Sequence, residues 1–193
     1  LSTQARAQAP LCAPTTTAQA PSSQDTKPVP SGHVVVESGH AEITRNQQTE
    51  FTGGVTIYQE SQTIKADQAT YNEIKNQFTA TGNVELDSKA AKVTGESIFI
   101  DEQNKDFSLL EAQYQFGFNS GRGSADEFSI DNSQKLKLDG ATFTTCPGDD
   151  PSWLFSSDNI FIDQSKGWGE AWNTVFKVGG LPVIYLPYIT FPI

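Results

Sequence analysis

The amino-acid sequence predicts an all-β protein assembled from stacked repeats. Three observations carry that prediction. Thr52-Gly53-Gly54-Val55 returns as Thr81-Gly82-Asn83-Val84, an offset of 29 residues. At the same offset Ile64 meets Val93, Asp67 meets Glu96, Tyr71 meets Ile100, Asn72 meets Asp101 and Phe78 meets Phe107. The second half of the unit recurs as Ala125-Asp126-Glu127-Phe128-Ser129-Ile130-Asp131, and again as Ser157-Asp158-Asn159-Ile160-Phe161-Ile162-Asp163. A fixed period of this size marks supersecondary units that cannot bury an apolar face alone and stack to do so. Short apolar–polar alternation runs through the region, and no window carries a helical stripe.

In order along the chain, residues 1–31 hold half of the 10 prolines, and the first aromatic residue is Phe51. Such a segment buries too little apolar surface to offset its ordering entropy, so it is expected to be a flexible, partly polyproline tail. Ala5-Arg6-Ala7-Gln8-Ala9 is similar to the small-residue end of a processed export signal. Strands are expected at Val34–Glu37 and Ala41–Thr44, joined by Ser38-Gly39-His40. Further strands are expected around Val55–Ile57, Ile64–Ala66, Val84–Leu86, Val93–Gly95, Ile98–Ile100, Phe128–Ile130, Leu136–Leu138 and Ile160–Ile162. Gly53-Gly54, Asn72 to Asn76, Gly82-Asn83, Asp101 to Asn104, Asp131-Asn132-Ser133 and Asp139-Gly140 are expected turns between them. The β-body is placed at 32–170. Residues 171–193 form an apolar segment with Leu181-Pro182, Leu186-Pro187 and Phe191-Pro192 recurring every five residues and no charge after Lys177. Its prolines suit extended edge segments rather than a transmembrane helix.

At 193 residues the chain holds one ordinary domain plus tails. The 13 Lys and Arg stand against 23 Asp and Glu, a net charge of −10 that argues against nonspecific nucleic-acid binding. His33 and His40, the only histidines, have no Cys or acidic partners at ligand spacing, so neither a metal site nor a nucleophilic triad is expected. Asp67, Glu96, Asp126 and Asp158 occupy equivalent repeat positions, where stacked acids would be able to bind calcium or act as a carboxylate pair. Strand starts facing solvent account for them more simply. No catalytic residue, cofactor or metal is expected. Cys12 and Cys146 are the two cysteines. They allow an internal disulfide, two thiols, or pairing with cysteines outside this sequence.

Period-2 alternation makes one face of each strand apolar. In register, that face collects Val55, Ile57, Ile64, Tyr71, Phe78, Val84, Leu86, Val93, Ile98, Ile100, Phe107 and Leu109 from the first repeats. Later copies add Tyr114, Phe116, Phe128, Ile130, Leu136, Leu138 and Phe143. The alternation alone fits either a closed sandwich core or sheets that leave an apolar groove.

Several stretches carry a family resemblance: Thr81 to Val84, Gly121-Arg122-Gly123-Ser124-Ala125-Asp126, Gly140 to Gly148 with Thr144-Thr145-Cys146-Pro147-Gly148, and Trp172-Asn173 through Pro187-Tyr188. From roughly Ala41 onward the chain resembles the OstA (organic-solvent-tolerance) family, the periplasmic N-terminal domains of the lipopolysaccharide-assembly protein LptD. The repeat unit is shared with the bridge protein LptA. The Thr-Thr-Cys-Pro-Gly stretch with Trp153, and the Trp-Asn to Leu-Pro-Tyr end, are the more specific part. The resemblance implies an open β-jellyroll of two splayed antiparallel sheets that holds the acyl chains of lipid A, with the apolar residues above as groove lining. It implies a following β-barrel, contact with LptE through that barrel, and a place on the periplasmic side of the outer membrane. It also implies that Cys12 and Cys146 pair with cysteines of the barrel, and that LptA joins an open strand edge, placed here near Val34 to Ile43. Two other function classes stay in view: an adaptor or plug module for a barrel, and a carbohydrate-acting β-fold enzyme.

Overall fold

Twelve strands in antiparallel succession build the protein in the computed structural model, which describes residues 33–44, 47–59, 62–89, 91–117, 121–133, 135–163 and 165–192. The expected tail at 1–31, and Cys12 with it, lie outside the described residues. The strands are β1 (Val34–Ile43), β2 (Gln48–Gln59), β3 (Gln62–Ala66), β4 (Gln68–Asn72), β5 (Gln77–Ser88) and β6 (Ala91–Asp101). They continue as β7 (Asp106–Phe116), β8 (Arg122–Ile130), β9 (Lys135–Phe143), β10 (Trp153–Asp163), β11 (Trp168–Val178) and β12 (Leu181–Pro192). Each pairs with its sequence neighbour, except that β3 and β4 act as one strand broken at Asp67, both lying between β2 and β5. The result is an all-β, open jellyroll-like meander. It differs from two separate splayed sheets: one continuous sheet folds along the middle of its long strands.

The fold line explains why several expected turns are not turns. Gly53-Gly54, Gly82-Asn83 and Gly140 lie inside β2, β5 and β9, with positive φ at each. Glu111 in β7 and Asn173 in β11 share that left-handed backbone. Such residues bend a strand as readily as they reverse a chain, so the local signal serves both outcomes. Pairing between β5 and β6 shifts register at this bend, between Thr81 and Val84. A Cβ at Gly82 would stand 2.5 Å from Asp67 Oδ2, so that position requires glycine for space as well as φ. By the same mechanism Val93–Gly95 and Ile98–Ile100 are one strand, β6, and the two expected N-terminal strands are one, β1, bulged between Ser38 and His40. The repeat acids Asp67, Glu96, Asp126 and Asp158 sit along the fold line, exposed, rather than at strand starts. Asn83 Nδ2 and Asn173 Nδ2 donate to Asp67 and Asp158 at 2.8 Å, clasping neighbouring strands across the bend.

True reversals end each repeat. Asn72 Oδ1 accepts from the amide of Lys75, and Asp101 Oδ1 from the amides of Gln103 and Asn104. Asp131 Oδ1 accepts from the amides of Ser133 and Lys135, and Asp163 Oδ1 from Lys166. The repeat therefore encodes its own turn: a side-chain oxygen supplies the acceptor that the reversing backbone lacks.

Cross-strand alignment stacks the apolar faces. On one half of the folded sheet Phe51, Ala69, Ala80, Ile98, Leu109, Phe128, Leu138, Ile160, Ala171 and Ile189 stand opposite one another in succession. On the other half the succession is Ile57, Ile64, Leu86, Val93, Tyr114 and Gly123. Residues of both halves form one core, in which Ile98 and Leu109 are wholly buried. The two end strands are edges. Among the described residues β1 pairs only with β2, and Val34, Val36 and Ile43 are exposed. Residues 171–192, expected as an apolar segment after the body, form most of β11 and all of β12, with Leu181, Val183, Ile184, Tyr185 and Tyr188 exposed.

Candidate functional site, an apolar cavity at the β7–β12 end

Buried residues of β2–β9 pack into the core, and an apolar cavity lies toward the β12 end. Between the two halves of β8–β12, bounded by the end of β7, lies a cavity of about 430 Å³. Its first wall is Phe128, Leu136, Leu138, Ile160, Ile162, Ala171, Ile189 and Phe191. The facing wall is Tyr114, Phe116, Ala141, Phe143, Phe155, Ser157 and Thr174. The fold line makes this possible, because each long strand contributes to both walls: β9 gives Leu136 and Leu138 to one and Ala141 and Phe143 to the other.

The polar atoms in the walls are already spent. Ser157 Oγ donates to Trp172 O at 2.7 Å and lies 3.1 Å from Thr174 Oγ1. The Tyr114 hydroxyl donates to Thr142 O at 2.5 Å, and burial pushes its pKa up to about 12. Among the described residues Tyr114 is the one titratable residue in the lining. Beside the cavity Phe143, Trp153, Phe155 and Phe176 form an aromatic cluster with ring centroids 4.8–6.2 Å apart. A space of this chemistry suits apolar matter. Among the described residues no cluster of His, Cys, Asp and Glu is arranged to hold a metal ion.

The expected groove residues divide between the two regions. Phe116, Phe128, Leu136, Leu138 and Phe143 line the cavity. Val55, Ile57, Ile64, Val84, Val93, Ile98 and Leu109 are buried in the filled core, with Phe78, Leu86, Ile100 and Phe107 half-buried against it. Tyr71 and Ile130 are half-buried on the same cross-strand row as Phe78 and Phe107. Sequence reasoning missed Ala141, Phe155, Ile160, Ile162, Ala171, Ile189 and Phe191 as lining. Ile160-Phe161-Ile162 carries the alternation that was able to reveal it. Ala171, Ile189 and Phe191 do not, because the prolines of the last segment mask its strand period. Cys146 is buried, and no described cysteine carries a free thiol. Its amide donates to Thr144 Oγ1 and its carbonyl accepts from Arg122 Nε at 2.7 Å.

The fold is thus an open, folded β-meander around an apolar cavity of about 430 Å³. Residues 35–168 match the family model described as "LptA/(LptD N-terminal domain) LPS transport protein", and the chain belongs to that family, one of transport proteins and not of enzymes. It is 35% identical over 162 residues to the LPS-assembly protein LptD of Pseudoalteromonas translucida, covering 84% of this chain and 22% of that protein. LptD of Idiomarina loihiensis is 32% identical over 84% of this chain and 21% of its own length, and LptD of Shewanella frigidimarina 33% over 83% and 21%. The chain thus spans about a fifth of the length of these relatives. Among solved structures, LptH of Pseudomonas aeruginosa, described as the LptA-homologous periplasmic component of a lipopolysaccharide transport device, matches 55% of this chain and 82% of its own. Its TM-score is 0.49 at 17% identity.

Proposed function

We propose that this domain passes lipopolysaccharide from a periplasmic bridge toward the outer membrane by holding lipid A acyl chains in the β7–β12 cavity. The observation that carries the reading is the cavity itself, apolar on both walls with its polar atoms bonded internally. A volume of about 430 Å³ falls within the ~300–1,000 Å³ usual for ligand pockets. A chain of about a dozen methylenes gains roughly 10 kcal/mol on leaving water, at ~0.8 per methylene, so retention needs no specific polar contact. The net charge of −10 favours keeping the phosphorylated sugar outside in solvent.

In this reading the domain stands on the periplasmic side of the outer membrane, ahead of a β-barrel that meets LptE. An LptA-like bridge adds a strand to the free edge of β1. Cys146 is already disulfide-bonded within this chain, so pairing of Cys12 and Cys146 with barrel cysteines would need that bond to exchange, which non-reducing peptide mapping of the full-length protein would show. The burial of most expected groove residues, such as Val55, Ile64 and Val93, in the packed core favours the second reading, an adaptor that positions a barrel without conducting lipid.

Binding separates the two. Lipid A is expected to bind the chain, and Ile160→Asp to weaken binding at least tenfold with the strand content intact. Equal affinity for lipid A and its fully deacylated form would leave the adaptor.

A further inference from the structure

Strands β8 and β9 keep one register from end to end but are not laddered throughout. Backbone pairing runs from Glu127↔Asp139 to Ile130↔Leu136 and resumes as a lone bridge, Arg122↔Thr144, with both of its N–H···O bonds at 2.9 Å. Between them residues 123–126 face 140–143 with no ladder pairing. Adjacent pairings are interrupted only briefly at the fold line; here the gap reaches well beyond it. Side chains close it instead. On the outer face Thr142 Oγ1 accepts the Ser124 amide at 2.9 Å and lies 2.8 Å from Ser124 Oγ. On the inner face the Tyr114 hydroxyl, coming from β7, reaches Thr142 O at 2.5 Å.

Tyr114 stands opposite Gly123 on β8, and its hydroxyl bonds to β9, so its ring bars the slot from inside. Glycine is required beneath it, because a Cβ at Gly123 would collide with Thr142 O and stand 2.7 Å from the Tyr114 hydroxyl. Tyr114, Ala141 and Phe143 also line the cavity, so the slot lies directly over the hollow part of the interior. Resting on the proposed function, we propose that the β8/β9 seam is a lateral gate through which an alkyl chain enters the cavity, with Tyr114 as its bar. Three features point to a gate rather than to a defect in the ladder. It opens where Tyr114, Ala141 and Phe143 line the cavity. It is held by a few side-chain bonds that reform without re-registering a strand. It is bounded at one end by the Arg122↔Thr144 bridge, supported by Arg122 Nε on Cys146 O, and at the other by the intact ladder. The slot measures roughly 13 Å along the strands at ~3.3 Å per residue. Entry from the side lets acyl chains pass while the charged head stays in water.

The test uses the 193-residue chain with cis-parinaric acid, a fluorescent 18-carbon fatty acid, in stopped-flow mixing. Tyr114→Phe removes the bar's anchor but keeps its ring, and Ser124→Cys/Thr142→Cys, oxidised and confirmed by peptide mapping, locks the seam from outside. The gate predicts association at least threefold faster for Tyr114→Phe and at least tenfold slower for the locked pair, with equilibrium affinity changing less than the rates. Reduction of the lock restores the rate. Amide exchange at Ser124 and Thr142 rises in Tyr114→Phe and not in the lock, a readout independent of ligand. Equal association rates in all three proteins at unchanged affinity would overturn the gate and leave the cavity reading standing. No binding at equilibrium in any of them would overturn the cavity reading and the gate with it.

Discussion

Tyr114 shows how much one residue decides here. Its place in the alternation predicts an inward apolar residue, and its ring is buried as that pattern requires, 5% exposed. Its hydroxyl needs a partner at that depth, and Thr142 O supplies one. The partner lies a strand beyond Gly123 and 28 residues away in sequence, so nothing local announces it. The same burial has a consequence for pH. A pKa pushed up to about 12 from 10.0 means the folded state holds the phenolic proton more tightly than the unfolded chain. This stability is therefore complete below pH ~10 and lost as pH rises toward 12, about 2–3 kcal/mol at most. Denaturation of the wild-type chain and of Tyr114→Phe between pH 8 and 12 checks it. The difference between the two is expected to shrink above pH 10, and a constant difference would contradict the assignment.

At the scale of the element, the Asn and Asp residues of the turns explain why the repeat is legible. Asn72, Asp101 and Asp163 each end a strand, Asp131 directly follows one, and each caps the reversal there, so the chemistry recurs wherever the geometry does. Asp101 is the most committed, accepting also from Gln77 Nε2 and Asn104 Nδ2. The bond from the Gln77 side chain, followed by that from the Asn104 amide, holds its carboxyl below the usual range. Asp101→Ala is expected to lower the midpoint of chemical denaturation measurably. Asp101→Asn, keeping the acceptor as Asn72 does, should lose less, and equal losses would remove capping as the explanation. The wild-type margin over Asp101→Asn should be present above pH ~4 and fall as pH drops through the folded pKa. Glycine signals were harder to place. Gly82 and Gly140 declare positive φ, but the sequence does not say whether the chain turns back or bends and runs on. That is settled by pairing with the next strand, which is a non-local fact.

For the whole molecule, period and alternation predicted the all-β class, the strand faces and the stacking of residues such as Ile64 on Val93 through Leu86. They did not locate the hollow. Val55 and Phe128 occupy the same kind of inward position, yet Val55 is sealed in the core and Phe128 faces open space. The difference lies in what fills the facing half. Small inward residues such as Ala66, Ala69 and Ala80 belong to the filled part, whereas large rings line the walls around Ala141 and Ala171. Separation of the walls follows from the bend of each strand and the gap at the β8/β9 seam, neither written at a single residue.

The most direct measurement is photocrosslinking in cells producing the full-length protein, with a photoreactive residue placed in turn at Phe128, Leu138 and Ile160 in the cavity. Ile98 in the filled core and the outward-facing Thr56 and Glu85 serve as comparison positions. Lipopolysaccharide captured at the cavity positions and not at Thr56 or Glu85 is the predicted result, with Ile98 silent or weak. Capture at none of the three cavity positions, in a folded protein joined to its bridge, would contradict a lipid-conducting cavity.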